Sequence, residues 1–193
     1  LTWGKLRTLR YLWRLIKEFR KFRGYDVVQL INPIFIPLKA ERMMPFYKYL
    51  RRHNKRIFLG AFGMDHYWVR AGLDCSTFRY SDFNFGPEVR ESEDIDLWTN
   101  EWLRGKKGEL NQHIAKDCDG IITGLYEYQA SYAPHFPEKT QFIPFPIVPR
   151  EHLTLSDKTP QRVRFFIGIQ KQRSVYKGTD IMLRALERVA QEL

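Results

Sequence analysis

Residues 57–66 read Ile57-Phe58-Leu59-Gly60-Ala61-Phe62-Gly63-Met64-Asp65-His66. The first six form an apolar run with no polar alternation, the pattern of a strand covered on both faces in a parallel sheet. The run enters a loop at Gly63 and reaches two polar groups, Asp65 and His66. Upstream, Met44, Tyr47 and Leu50 recur at helical spacing with Lys48, Arg51 and Arg52 outside, which predicts a helix over 43–54. Further upstream, Val27-Val28-Gln29-Leu30-Ile31 closes at Asn32-Pro33 and reads as a second buried strand. This alternation predicts an α/β domain: a Rossmann-like parallel sheet flanked by helices.

Downstream, residues 67–100 break the rhythm with aromatics, turn formers and an acidic run from Glu88 to Asp96. They are expected to form a long excursion at the strand carboxyl ends. The pattern resumes with a helix over 99–116, a strand at Gly120-Ile121-Ile122-Thr123, a helix over 125–132 and a short strand over 141–147. Residues 148–161 hold Pro149, Ser156, Asp157, Thr159 and Pro160 and little core material, and read as a linker. A strand over 163–168, a loop and a helix over 179–193 then open a second Rossmann-like unit. The expected organisation is a domain over 1–147, a linker over 148–161 and the start of a second domain over 162–193.

Composition bounds the function. The chain has 193 residues, 44% of them hydrophobic and 15% aromatic, enough to build a core and too many for a disordered tail. No run approaches the ~18 apolar residues of a membrane span. The chain begins at Leu1 with no secretory leader pattern and is expected to be a piece of a longer protein. Cys75 and Cys118 are the only cysteines. They lack CxxC spacing, which argues against a disulfide framework and a zinc site and suits a reducing compartment. The other histidines are scattered, and the acidic run reads as a solvated face, so no metal is expected.

The formal net charge is +10, and most of the excess lies in residues 1–24. There Lys5, Arg7, Arg10, Arg14, Lys17, Arg20, Lys21 and Arg23 face a single acid, Glu18. On a helix, Arg7, Arg10, Arg14, Lys17 and Lys21 share an arc of roughly 80°, while Leu6, Leu9, Leu12, Trp13, Ile16 and Phe19 gather on another face. This predicts an amphipathic helix ending near Gly24. Its basic stripe reads as a solvated outer face, or as an adhesive surface for anionic lipid. Nucleic acid is not expected as a partner, because no helix-turn-helix, RNP or zinc-finger pattern accompanies the charge.

The strand–loop–helix at 165–180 carries a further signal. Phe165-Phe166-Ile167-Gly168 feeds a loop containing Lys171, Arg173 and Lys177, and the loop feeds a helix through Gly178. A helix start offers unpaired N–H groups and partial positive charge, and three cations add formal charge, an environment that suits a phosphate. Gly178 permits a tight turn or close backbone approach. The Walker spacing is absent. An ordinary solvated βα loop has the same outline.

This segment resembles the opening of the donor-binding domain in retaining glycosyltransferases of the GT-B architecture, the family 4-like group. The matching residues are Ile167-Gly168, Lys177-Gly178 and the helix core Ile181-Met182-Leu183-Arg184-Ala185-Leu186. Upstream, Tyr25-Asp26-Val27-Val28 is similar to that family's first-domain strand. So are Ala115-Lys116-Asp117-Cys118-Asp119-Gly120-Ile121-Ile122 and residues 139–147. Ile169 stands where relatives often carry Arg. Phe62 stands where many carry His in an H-G-x-D pattern.

The resemblance implies a partial GT-B fold and transfer of a sugar from a UDP- or GDP-sugar to a glycan or lipid-linked acceptor. It implies a departing diphosphate contacted by Lys177, with Gly178, Arg173 and Lys171 beside it. Transfer in that family proceeds on the face the diphosphate leaves, with no protein nucleophile. The family's acidic donor motif lies later than Leu193, so these 193 residues alone are expected to be inactive. The expected location is cytoplasmic, peripheral on the inner membrane face if the basic helix is adhesive. The rival expectation is a non-catalytic α/β module that binds an anionic membrane surface or a partner through that helix.

Other candidate groups follow predicted strands, where α/β sheets bind ligands. Asn32 and Gly63 are expected to meet the acceptor. Asp65 is placed to take a proton from an acceptor hydroxyl, with His66 assisting near neutral pH. Asp65 equally suits a helix cap, and His66 a local hydrogen bond. Tyr67, Trp68 and Trp98 suit sugar stacking or simple packing of the excursion.

Overall fold

The computed structural model describes residues 3–146, 166–169 and 178–192, with side chains from Thr8 onward. In chain order the first elements are α1 (Trp3–Phe19), β1 (Val27–Leu30), α2 (Met44–His53), β2 (Arg56–Ala61) and α3 (His66–Leu73). The short hairpin β3 (Asn84–Phe85) and β4 (Glu88–Val89) follows, then α4 (Glu93–Thr99) and α5 (Lys106–Asp117). The remainder is β5 (Gly120–Thr123), α6 (Tyr126–Tyr132), β6 (Thr140–Phe142) and α7 (Thr179–Glu192).

Four strands form one parallel sheet in the order β1-β2-β5-β6. Its register pairs Val28 with Ile57, Leu59 with Ile121 and Ile121 with Thr140. The fold is therefore α/β with a parallel sheet and flanking helices, as the unalternated apolar runs predicted. The central strands bury Ile57, Leu59, Ala61 and Ile121. Met43, Tyr47 and Leu50 join this core, together with Val69, Leu110 and Ile114. At ~25 cal/mol per Å² of apolar area, such contiguous burial is the main stabilising term.

One carboxylate fixes the start of β2. Asp119 accepts hydrogen bonds from the Ile57 amide at 2.7 Å and from Arg51 Nη1 at 2.6 Å, so α2, β2 and the entry to β5 meet at one side chain. Burial raises the Asp119 pKa, but the Ile57 and Arg51 bonds outweigh it and hold the carboxyl below its ordinary range.

The structure corrects several expectations. Helix α1 stops at Phe19 rather than near Gly24. The chain turns there because the Phe19 ring is buried against Phe46 and Tyr49, at centroid distances of 4.9 and 5.9 Å. Gly24 follows at φ 79° and donates its N–H to His53 O. Other residues of the apolar face of α1 stay open to solvent: Trp13 is 62% exposed and Ile16 53%.

The excursion begins only after α3, which extends to Leu73. The helix expected over 99–116 is broken into a π-helical turn at Asn100–Arg104 and α5. Gly105 sits at the break, where a Cβ would lie 2.6 Å from Glu101 O. Residues 166–168, expected to close a strand, carry no regular structure. The linker 148–161 and the start of the strand at 163–165 lie outside the described residues. Helix α7 forms as expected.

Candidate functional site

Because the four strands are parallel, the loops that leave them emerge at one edge. The β1 loop carries Asn32, whose side chain accepts the Ile34 amide at 2.7 Å and folds the turn at Pro33. The β2 loop carries Gly63, beside which a Cβ would meet no atom within 4 Å. Phe62 and Phe145 bring the loops after β2 and β6 together, with ring centroids 5.2 Å apart. Gly124, after β5, makes room for them: a Cβ there would lie 2.6 Å from the Phe145 ring. The acceptor residues expected from sequence, Asn32 and Gly63, thus stand on loops at one edge with Asp65 and His66.

Asp65 is 1% exposed and caps α3, its Oδ1 accepting the Trp68 amide at 2.9 Å. Its Oδ2 accepts the Tyr132 hydroxyl of α6 at 2.7 Å. That hydroxyl in turn accepts from Asn111 Nδ2 at 3.1 Å, and Asn111 Oδ1 accepts the His66 amide at 2.9 Å. A closed network therefore ties α3, α5 and α6 beneath the carboxyl edge. Burial pushes the Asp65 pKa up to about 6, against the Trp68 and Tyr132 bonds that pull it down.

His66 Nδ1 lies 2.8 Å from Trp102 O, and burial lowers the His66 pKa, keeping the ring neutral at pH 7. The structure thus gives Asp65 the helix cap it equally suited and His66 a hydrogen-bonded partner in Trp102 O. Both oxygens of Asp65 and one ring nitrogen of His66 are engaged by the fold. Their contacts are those of groups that hold the edge in shape.

The donor-side expectation divides. Lys171, Arg173 and Lys177 lie outside the described residues. Gly178 is described: it has φ 62°, where a side chain would be strained, and its carbonyl accepts the amides of Ile181 and Met182 at 3.1 Å. Of the aromatics proposed for stacking, Tyr67 and Trp68 are buried around the network, and Trp98 packs edge-on against Phe83 at 5.6 Å. Among the described residues no three His, Cys, Asp or Glu side chains gather where they could hold a metal, and no helix is long and apolar enough to cross a membrane.

Sequence reasoning missed Asn111 and Tyr132. Tyr132 lies 67 residues from Asp65, and Asn111 lies 45 residues from His66. Neither belongs to a local motif, so only the packing of α5 and α6 against α3 reveals them. No protein-family model, curated protein or solved structure matches the chain.

Proposed function

We propose that this chain forms the acceptor side and the opening of the donor side of a retaining glycosyltransferase that takes a UDP- or GDP-sugar. The supporting observation is the arrangement of the sheet. The upstream segments that carry the family resemblance include or lead into β1, β5 and β6, and these lie in one parallel sheet in chain order. The loops after β1 and β2 put Asn32, Gly63 and Asp65 at the carboxyl edge, where such sheets bind ligands.

In this reading Lys177, with Lys171 and Arg173, meets the diphosphate as negative charge builds on it. Gly178 lets the backbone turn into α7. Asp65 and His66 act as positioning residues. The acceptor is a glycan or a lipid-linked glycan, and no nucleic acid or metal takes part. Calorimetric titration of UDP and GDP into the protein extended to its complete donor side tests the proposal. One nucleotide is expected to bind, and Lys177→Ala to weaken it roughly ten-fold or more. Equal affinity in the variant would remove the donor assignment.

A second reading rests on α1. Leu9, Trp13 and Ile16 stand exposed beside Arg10, Arg14 and Lys17, and Lys17 Nζ lies 5.5 Å from the Trp13 ring centroid. Ile16 and Phe19 continue into an apolar groove walled by Pro45, Phe46 and Tyr49. Exposed apolar groups flanked by cations suit the headgroup layer of an anionic bilayer. On this reading the protein sits peripherally on the cytoplasmic face of the membrane.

A further inference from the structure

The excursion builds a pocket at the carboxyl edge that the motifs do not account for. Its aromatic walls are Trp68, Phe78 and Tyr80, and its polar groups are Asp82, Arg90 and Glu127. Trp68 lies in the first turn of α3 and Glu127 in the first turn of α6. Those helices follow β2 and β5, so both residues stand just past strand carboxyl ends. The Asp65 bonds to the Trp68 amide and the Tyr132 hydroxyl fix these two walls relative to each other.

The third wall is equally held. Asn84 is fully buried, and its Nδ2 donates to Phe78 O at 2.7 Å and Gly86 O at 2.9 Å. Ser81 Oγ receives the amides of Phe83 and Asn84 at 3.0 and 3.2 Å. The Arg90 amide bonds Phe83 O at 2.7 Å, which closes the hairpin. Tyr80 is half exposed and packs on Phe85 at 5.0 Å, with the Arg79 guanidinium 5.2 Å from its ring centroid. Side chains held this way form a pre-organised surface.

The chemistry of the lining selects a ligand. Carboxylates only accept hydrogen bonds when ionised, and a guanidinium only donates. A ligand that engages both Glu127 and Arg90 must present groups that both donate and accept, as hydroxyls do. Arg90 is the cation of the lining, and its guanidinium can donate to ligand oxygens. The aromatic walls suit an apolar C–H face. The cavity, about 230 Å³, falls below the ~300–1,000 Å³ of drug-sized sites, so it has room for one ring and not a chain.

We propose that the pocket between Trp68, Tyr80, Arg90 and Glu127 binds a single pyranose ring, the terminal sugar of the acceptor. The proposal rests on the glycosyltransferase reading for the word acceptor, and on the pocket alone for the sugar.

The test is ¹H–¹⁵N correlation NMR of the full chain titrated with methyl glycosides of glucose, galactose, mannose and N-acetylglucosamine, with uridine as control. At least one glycoside is expected to shift the Arg90 Nε–Hε and Trp68 indole signals saturably, while uridine leaves them in place. Arg90→Lys and the exposed Glu127→Gln are each expected to weaken that binding roughly ten-fold or more. No saturable shift with any glycoside, equal binding in both variants, or the same shifts with uridine would each overturn the proposal. Sugar binding here, alongside no nucleotide binding by the protein with its complete donor side, would remove the transferase reading and leave the pocket. Nucleotide binding without sugar binding would do the reverse.

Discussion

The Tyr132 hydroxyl donates to Asp65 Oδ2 across 2.7 Å and joins the end of α6 to the cap of α3. Both groups are almost fully buried, and Asn111 donates to the same hydroxyl. Removing that oxygen strands a carboxylate and an amide donor where water does not reach. Tyr132→Phe is therefore expected to lower stability by about 1–3 kcal/mol. Urea unfolding checks this: the midpoint should fall with the slope unchanged. An unaltered midpoint would mean the network contributes nothing to holding the edge.

Gly72 tests how the excursion is seated. A Cβ at this position would lie 2.3 Å from the Phe83 ring, and Phe83 itself is fully buried between Trp68 and Trp98. Gly72→Ala adds a good helix former on α3, yet overpacking should dominate and destabilise by about 1–3 kcal/mol. Pairing it with Phe83→Leu should recover part of the loss, because the smaller side chain clears the new methyl. A stabilised single variant would show that α3 and the excursion are not in close contact.

The pH dependence separates Asp65 from His66. The folded Asp65 pKa is about 6, above its ordinary 3.8, so between those values the folded state holds a proton that the unfolded state has lost. Stability from this group is complete at low pH and falls as pH rises through that window. His66 has the opposite sign: its pKa is lowered by burial, so its contribution is complete above its ordinary 6.5 and is lost as pH falls. The two slopes oppose each other. Asp65→Asn keeps a good cap and removes the Asp65 component. Denaturation from about pH 4 to pH 6 should then show stability rising more steeply with pH in the variant than in the parent. Identical slopes would contradict a raised Asp65 pKa.

The sheet was legible in sequence because its signal is local. Ile57–Ala61 and Gly120–Thr123 are unbroken apolar runs, and a doubly covered parallel strand needs nothing else to be recognised. The pairing order and register were less visible, since they depend on contacts such as Asp119 with the Ile57 amide, 62 residues apart. The ends of α1 and of the helix before Lys106 were misplaced for tertiary reasons. Phe19 is captured by Phe46 and Tyr49, and Gly105 admits Glu101 O. At the edge, the spacing marked Asp65 and His66 as polar groups after a strand. It could not tell a proton-transfer group from a cap, which burial and partners decide. The pocket escaped the sequence because it assembles Trp68, Tyr80, Arg90 and Glu127 from three separate segments.

The α1 surface makes its own prediction. The chain should co-sediment with vesicles rich in phosphatidylglycerol and not with phosphatidylcholine alone, with the Trp13 emission moving to shorter wavelength. Each cation near an anionic surface contributes about 1 kcal/mol. Reversing Arg10, Arg14 and Lys17 to Glu should therefore abolish binding, and salt should weaken it in the parent. Vesicle binding unchanged by the triple reversal would exclude α1 as the adhesive element.

The proposed sugar transfer is open to a turnover assay. The protein extended to its complete donor side is incubated with UDP- and GDP-sugars and a panel of glycosides and lipid-linked glycans, and products are read by anomeric ¹H NMR. Release of one nucleotide is expected, matched by a new glycosidic bond of the donor's own anomeric configuration, with the rate falling sharply in Lys177→Ala. Absence of transfer from every nucleotide-sugar, or transfer undiminished in Lys177→Ala, would contradict it.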